Sequence, residues 1–269
     1  MSPDRRPAVS AFVITCAKTQ QRLPSLLSEL EGLHADLTVV RRFDVPQLPI
    51  HIFNNNLWRE HFLEIKNIHF ENLKALGFSG SRINQAIVSE SRGRILSMPE
   101  MSLSAKITFA LNSFLAQGAE YVIVIEDDLA IDSAVCFEKK VASELNKVIN
   151  FARSESADLI DIGSLPTFDM NFIRNHHYVS AHSHGSYSRT SRLMTRSTCC
   201  FLMSRHLVSV VLKNKHIQSL PIDFHLQYLY ERARLEGARS FNGFWLTNGV
   251  FLNGSMAEKK TGIQTSIQN

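Results

Sequence analysis

Three consecutive carboxylates, Glu126, Asp127 and Asp128, follow five apolar, β-prone residues at 121–125. Such a run predicts a strand that is buried on both faces of a sheet. Because neighbouring carboxylates repel each other and are costly to desolvate, a cation or hydrogen-bond donors should lie close to them. Alternation along a strand sends Glu126 and Asp128 to one side and Asp127 to the other. Glu126 and Asp128 therefore suit a hard divalent cation that also binds phosphate oxygens. The alternative is a solvated strand end that caps a helix.

The elements that must hold these carboxylates follow a βαβ pattern. Val9–Ile14 reads as a first strand, leucines at helical spacing follow from Leu23, and residues 37–40 read as a second strand. A second helical stripe runs from 103 to 115, with Ser102 as its predicted N-cap and Gly118 as its stop. This order predicts an α/β protein with a parallel sheet whose acidic strand end lies at the ligand-binding edge.

Two further segments carry candidate functional residues. Asp223 presents a carboxylate just before an amphipathic pattern at 225–235, where it is either an N-cap or a reactive group. Residues 165–197 are rich in Ser, His and Arg and show little periodicity. Because so long a loop in a compact domain is usually functional or disordered, we interpret it as a lid or acceptor loop. Its arginines, including Arg189, are candidate phosphate contacts.

The composition of the chain limits which classes of protein it can belong to. The chain has 269 residues, of which 44% are hydrophobic and 20% charged, enough for one large α/β domain or two small ones. The net charge of +4 includes no dense basic block, so we expect no nucleic-acid partner. The four cysteines show no zinc spacing and predict reduced thiols in the cytoplasm. Since the apolar run at 9–14 is too short for a signal-peptide core, we expect any membrane contact to be peripheral and cytosolic.

The pieces in this order resemble glycosyltransferase family 25, the lipooligosaccharide and collagen β-galactosyltransferase group. The resemblance covers most of the chain and is weakest at residues 45–100. It is strongest at Glu126, Asp127 and Asp128, which resemble the family's Glu-Asp-Asp signature. The other matching pieces are residues 12–15 followed by Arg22, Phe43 with Asp44, 160–163, 197–204 leading to 220–223, Gly254 with Ser255, and 265–267.

The resemblance implies a single GT-A-like domain over residues 1–269. Its Rossmann-type mixed, mostly parallel sheet would be flanked by helices, with a nucleotide-sugar half at about 8–163 and an acceptor and closing half at about 164–269. It implies an inverting hexosyltransferase that uses a UDP-sugar with Mn²⁺ or Mg²⁺ and a glycan or glycolipid acceptor, as in lipopolysaccharide biosynthesis. The implied donor-binding residues are Thr15, Arg22, Asp44 and Asp127. Glu126 and Asp128 would hold the metal, and Asp223 is the candidate general base for the acceptor hydroxyl.

Two departures from the family pattern leave alternatives open. The family often carries a Gly-Glu pair and a Ser-His pair before the acidic strand, where this chain has Ala105-Lys106 and Asn112-Ser113. One alternative is therefore a degenerate glycosyltransferase fold that binds or scaffolds without catalysis. A second alternative does not depend on these departures: a sugar-phosphate nucleotidyltransferase also pairs carboxylates with a metal on an α/β sheet, but it usually has a Gly-rich loop after its first strand. Residues 15–22 contain no Gly, and the chain has neither GxGxxG nor a P-loop motif.

Overall fold

A computed structural model describes residues 9–48, 97–131, 140–163, 179–184, 186–190, 199–213, 241–246 and 251–252, together with Ile222, Leu226, Leu229 and Tyr230. The helices are α1 (Leu23–Glu29), α2 (Met98–Gln117), α3 (Val141–Glu155) and α4 (Arg205–Lys213), with 3₁₀ turns at Gln20–Arg22 and Val45–Gln47. The strands are β1 (Val9–Ile14), β2 (Asp36–Val40), β3 (Tyr121–Glu126), β4 (Ala130–Ile131), β5 (Leu159–Asp161), β6 (Val179–His184), β7 (Tyr187–Thr190), β8 (Cys200–Ser204), β9 (Gly243–Leu246) and β10 (Phe251–Leu252).

One mixed sheet dominates the described part of the chain. Its eight strands lie in the order β2-β1-β3-β8-β5-β9-β7-β6, and β4 pairs separately with β10. β1 is parallel to both β2 and β3, and β5 is parallel to β9. β8 is antiparallel to both β3 and β5, and β7 to both β9 and β6, so β7 and β8 run against the other six. The predicted α/β class with a mixed, mostly parallel sheet is confirmed in these strand directions.

Helices cover both faces of the sheet. Val9, Ala11 and Val13 of β1 pack with α1 and α3 on one face, whereas Phe12 and Ile14 pack with α2 and α4 on the other. In β3, residues 122–125 alternate between the same two clusters and are fully buried. This confirms the prediction of a strand buried on both faces. Within the described ranges, no helix is both long and apolar enough to cross a membrane.

The start of α2 corrects one prediction. Ser102 is a buried residue inside the helix, whereas the N-cap is Ser97, whose backbone N–H donates to the carboxylate of Glu100 at 2.8 Å. This Ser-x-x-Glu capping box provides hydrogen-bond partners for backbone N–H groups of the first turn, so the helix begins five residues upstream of the predicted start. The predicted stop is confirmed, because Gly118 follows α2 with φ of +82°, a left-handed conformation that glycine adopts without strain.

The prediction of an irregular segment at 165–197 is wrong for its described part. β6 and β7 form an antiparallel hairpin there, and β7 extends the sheet beside β9. Tyr187 stacks on Phe151 with ring centroids 3.7 Å apart, and Phe244 meets Phe151 edge-on at 5.0 Å. The Ser-rich sequence hides β7, where aromatic packing of Tyr187, and not aliphatic alternation, buries the strand. Residues 164–178 and 191–198, with Arg192 and Arg196, lie outside the described residues.

Candidate functional site

The carboxyl ends of β1 and β3 meet at one edge of the sheet. Ile14 of β1 is in register with Val40 of β2 on one side and with Glu126 of β3 on the other. The chain passes from β1 to β2 on one side and later returns to β3 on the opposite side of β1. The strand order therefore reverses between β1 and β3. In open α/β sheets, ligands bind in the crevice outside the carboxyl ends of strands at such a switch point.

The acidic triplet lies at this switch point. β3 ends at Glu126, and a turn follows in which the Leu129 N–H donates to the Glu126 carbonyl at 3.1 Å. Because Asp127 and Asp128 belong to the turn, strand alternation does not decide where their side chains point, and that part of the prediction is corrected. The Glu126 side chain is buried, whereas Asp127 and Asp128 are half-buried.

Two threonines of the β1–α1 connection hold Asp127. The Thr15 hydroxyl donates to Asp127 Oδ2 at 2.6 Å, and the Thr19 hydroxyl donates to the same oxygen. Both threonines are buried, and the Asp127 N–H donates to the Ile14 carbonyl at 3.0 Å. Hydrogen bonds to a charged acceptor are about twice as strong as neutral ones, so this Thr15–Asp127–Thr19 network fixes the connection against the end of β3.

Asp44 lies on the other side of the same connection. Its Oδ2 accepts the Ala17 N–H at 3.1 Å, and its Oδ1 accepts the Lys106 ammonium at 2.5 Å. Phe43, with φ of +65°, turns the chain after β2 so that Asp44 returns towards β1. Asp44 therefore orders the β1–α1 connection, which was predicted to bind the donor.

Lys106 is the residue whose role the sequence analysis missed. Its side chain is 2% exposed, and its ammonium also donates to the Thr15 carbonyl at 2.6 Å. In the sequence, Lys106 stands out only as a departure from a family pattern. The sequence does indicate that Lys106 is buried, because it lies within the helical stripe formed by Leu103, Ile107 and Ala110. A lysine at such a position must be paired when it is buried.

A deeper carboxylate lies along the same edge. Asp161 ends β5 and is fully buried, and β8 separates it from Glu126. Burial raises the pKa of the Cys200 thiol on β8, and the negative charges of Asp161 and Glu126 raise it further. Burial also raises the pKa of Tyr230, with a smaller contribution from Asp161. Cys200 and Tyr230 therefore stay protonated and neutral at physiological pH.

The structure brings most of the predicted site residues to this edge. Thr15, Asp44 and Asp127 share one hydrogen-bonded connection, and Arg22 lies at its far end, where the Arg22 N–H donates to the Thr19 carbonyl at 2.9 Å. Arg22 is half-buried and precedes α1. Asp223, the predicted base, lies outside the described residues. Its neighbour Ile222 is buried in the apolar cluster that also contains residues of α2 and α4.

The described residues supply few ligands for the predicted metal ion. Among the described residues, no group of three or more His, Cys, Asp or Glu side chains is arranged to hold a metal ion. Glu126 and Asp128 are two carboxylates, so any cation there would take its remaining ligands from outside these residues. Mg²⁺ sites of enzymes that act on phosphates commonly have one or two carboxylates, with substrate phosphates and waters completing the shell.

Comparison with known proteins gives distant structural matches. No protein-family model and no curated protein matches the sequence. Apo UDP-glucose pyrophosphorylase matches with 10% identity over 95% of this chain and 100% of that chain, at a TM-score of 0.42. Mouse xyloside xylosyltransferase 1 matches with 11% identity over 86% and 83%, at 0.33. Protein A197 from STIV matches with 8% identity over 89% and 82%, at 0.39. At these TM-scores the matches are remote.

Proposed function

We propose that the protein is a metal-dependent inverting glycosyltransferase that transfers a hexose, galactose or glucose, from a UDP-sugar to a saccharide acceptor. The observation that carries the proposal is the acidic end of β3 at the β1–β3 switch point. Asp127 contacts the β1–α1 connection there, and Glu126 and Asp128 flank it in the sequence, at the edge where α/β proteins bind nucleotides.

The negative charge of the candidate site indicates that a cation is needed to bind a diphosphate. Glu126, Asp127, Asp128 and Asp44 are four carboxylates, and Lys106 is the ammonium paired with Asp44, so these five side chains carry a formal surplus of three negative charges. The diphosphate of a nucleotide sugar would be repelled from such an edge without a metal ion. The oxygen donors of Glu126 and Asp128 fit a hard cation such as Mg²⁺ or Mn²⁺. When bound, that cation would stabilise the negative charge of the leaving diphosphate.

The roles of the chain's own residues follow from their chemistry. The Thr15–Asp127–Thr19 network keeps the β1–α1 connection fixed where the nucleotide is proposed to bind, which lowers the ordering cost of binding. Arg22 on the same connection is proposed to contact the donor phosphates. Inversion requires a base on the side of the sugar opposite the leaving group, and the sequence supplies Asp223 as the candidate.

The finer parts of the proposal come from the resemblance to glycosyltransferase family 25. They are the UDP-hexose donor, an acceptor in lipopolysaccharide or lipooligosaccharide synthesis, and one catalytic domain with an acceptor half at about 164–269. A cytoplasmic location, with peripheral contact to a membrane that carries a glycolipid acceptor, belongs to the same proposal.

Donor binding tests the proposal directly. Thermal shift against a panel of nucleotide sugars, with and without Mn²⁺, should show a UDP-sugar that stabilises the protein only when metal is present. A ligand at a hundredfold excess over its Kd stabilises by about 2.7 kcal/mol. Asp128→Asn should abolish the shift, whereas the control Asp36→Asn, an exposed carboxylate at the start of β2, should keep it.

Turnover separates the alternatives. Release of UDP with a saccharide acceptor supports the transferase, and metal-dependent binding without turnover would favour the non-catalytic scaffold. Formation of pyrophosphate or of a nucleoside triphosphate would favour a nucleotidyltransferase. If Asp128→Asn binds and turns over the donor like the unmodified protein, Asp128 has no metal role.

A further inference from the structure

The buried Lys106 of α2 joins three separate segments of the chain. Its ammonium donates to the Thr15 carbonyl at the end of β1 and to the Asp44 carboxylate after β2. Burying an ammonium is costly unless acceptors replace its water shell, and these two acceptors do so here. Lys106 therefore fixes the backbone of Thr15 relative to α2 and to the end of β2.

The segment that Lys106 holds is the one that contacts Asp127. The backbone carbonyl of Thr15 accepts from Lys106, while its hydroxyl donates to Asp127 at 2.6 Å. The second oxygen of Asp44 accepts the Ala17 N–H, two residues further along the same connection. A displacement of the Lys106 ammonium would thus shift the backbone from which the Thr15 and Thr19 hydroxyls reach Asp127.

We propose that Lys106 is a positioning residue for the nucleotide-sugar site, acting through the Thr15 carbonyl and Asp44 to set the β1–α1 connection against the acidic end of β3. The choice of ligand rests on the proposed function. The positioning of the connection rests only on the contacts of Lys106, Thr15, Asp44 and Asp127. Lys106, which stands where the family often carries Glu, would then stabilise the site, and its presence would not indicate that the site has been lost.

Two variants separate positioning from simple charge neutralisation. Lys106→Met removes both hydrogen bonds and leaves the Asp44 carboxylate without its cation, so it should lower the unfolding temperature and weaken donor binding. Lys106→Met with Asp44→Asn removes the uncompensated charge and should recover most of the stability. It still lacks the contact to Thr15, so its Kd for the UDP-sugar with Mn²⁺ should stay raised by roughly tenfold or more relative to Asp44→Asn alone, as expected for losing a charged hydrogen bond. Lys147→Met is the control, because Lys147 pairs with Glu144 at 2.7 Å but is 57% exposed.

Amide hydrogen exchange gives a measurement that needs no ligand. The Thr15 N–H donates to the Val40 carbonyl and the Thr19 N–H to the Cys16 carbonyl. In the double variant both amides should exchange roughly tenfold or more faster than in Asp44→Asn alone, while amides in the middle of α3 keep the rates of the unmodified protein. Faster exchange supports the positioning role even if the unmodified protein binds no UDP-sugar, a result that would refute only the proposed function. Unchanged exchange and unchanged donor affinity in the double variant would overturn the inference and reduce Lys106 to the counter-charge of Asp44.

Discussion

Replacing Asp127 by Ala should destabilise the fold as well as the site. The substitution removes the carboxylate oxygen that accepts the Thr15 and Thr19 hydroxyls. A hydrogen bond to a charged group contributes about 1.5–3 kcal/mol to stability, and two are lost here. Both hydroxyls also lie within 3.5 Å of the Cys16 carbonyl, which offers them a weaker acceptor. We therefore expect a loss of about 2–4 kcal/mol for Asp127→Ala. Asp127→Asn keeps an acceptor without the charge and should lose about 1 kcal/mol.

Urea unfolding measures these losses. Trp245 is buried in β9, so its fluorescence should report the loss of the sheet, and linear extrapolation gives the free energy of unfolding. The control is Asp36→Ala, which removes an exposed carboxylate at the start of β2 and should stay within about 0.5 kcal/mol of the unmodified protein.

A double-mutant cycle tests the hydrogen bond itself. Thr19→Val keeps the shape of the side chain and removes its hydroxyl, so combining it with Asp127→Ala should show a coupling energy of about 1 kcal/mol or more. Additive effects, or an Asp127→Ala variant as stable as the control, would refute the view that this network holds the β1–α1 connection.

Three further outcomes are expected. Asp223→Asn should slow turnover by about 10²- to 10⁴-fold while donor binding persists, and full turnover in this variant would show that the base lies elsewhere. Tyr187 has a pKa raised from 10.0 to about 12 by burial and by the charge of Glu144. Its protonated form is favoured in the folded state, so the free energy of unfolding should fall as pH rises from 10 towards 12. When urea unfolding is measured across that pH range, the free energy of unfolding of Tyr187→Phe should fall less than that of the unmodified protein. An equal fall in the two proteins would contradict the assignment of this pH dependence to Tyr187. Phe114→Ala, at a fully buried position of α2, should cost about 3–5 kcal/mol in the same assay. Gln117→Ala, at an exposed position of that helix, should leave stability nearly unchanged.

The sequence by itself determined the local elements that build the candidate site. The apolar runs of β1 and β3, the leucines of α1 and the glycine that ends α2 each predict a structure from neighbouring residues alone. The acidic triplet was recognised at the end of a buried strand for the same reason, because an abrupt change from apolar to charged residues is a local signal.

The tertiary structure decided which of these residues meet. Thr15 and Asp127 are 112 positions apart, and Lys106 and Asp44 are 62 apart, so no periodicity links either pair. The antiparallel insertion of β8 between β3 and β5, which places Cys200 between Glu126 and Asp161, is likewise a long-range pairing. Local patterns show that a lysine or carboxylate will be buried. Its partner depends on how distant strands and helices pack, because burial must be compensated by whatever polar group the fold brings within hydrogen-bond distance.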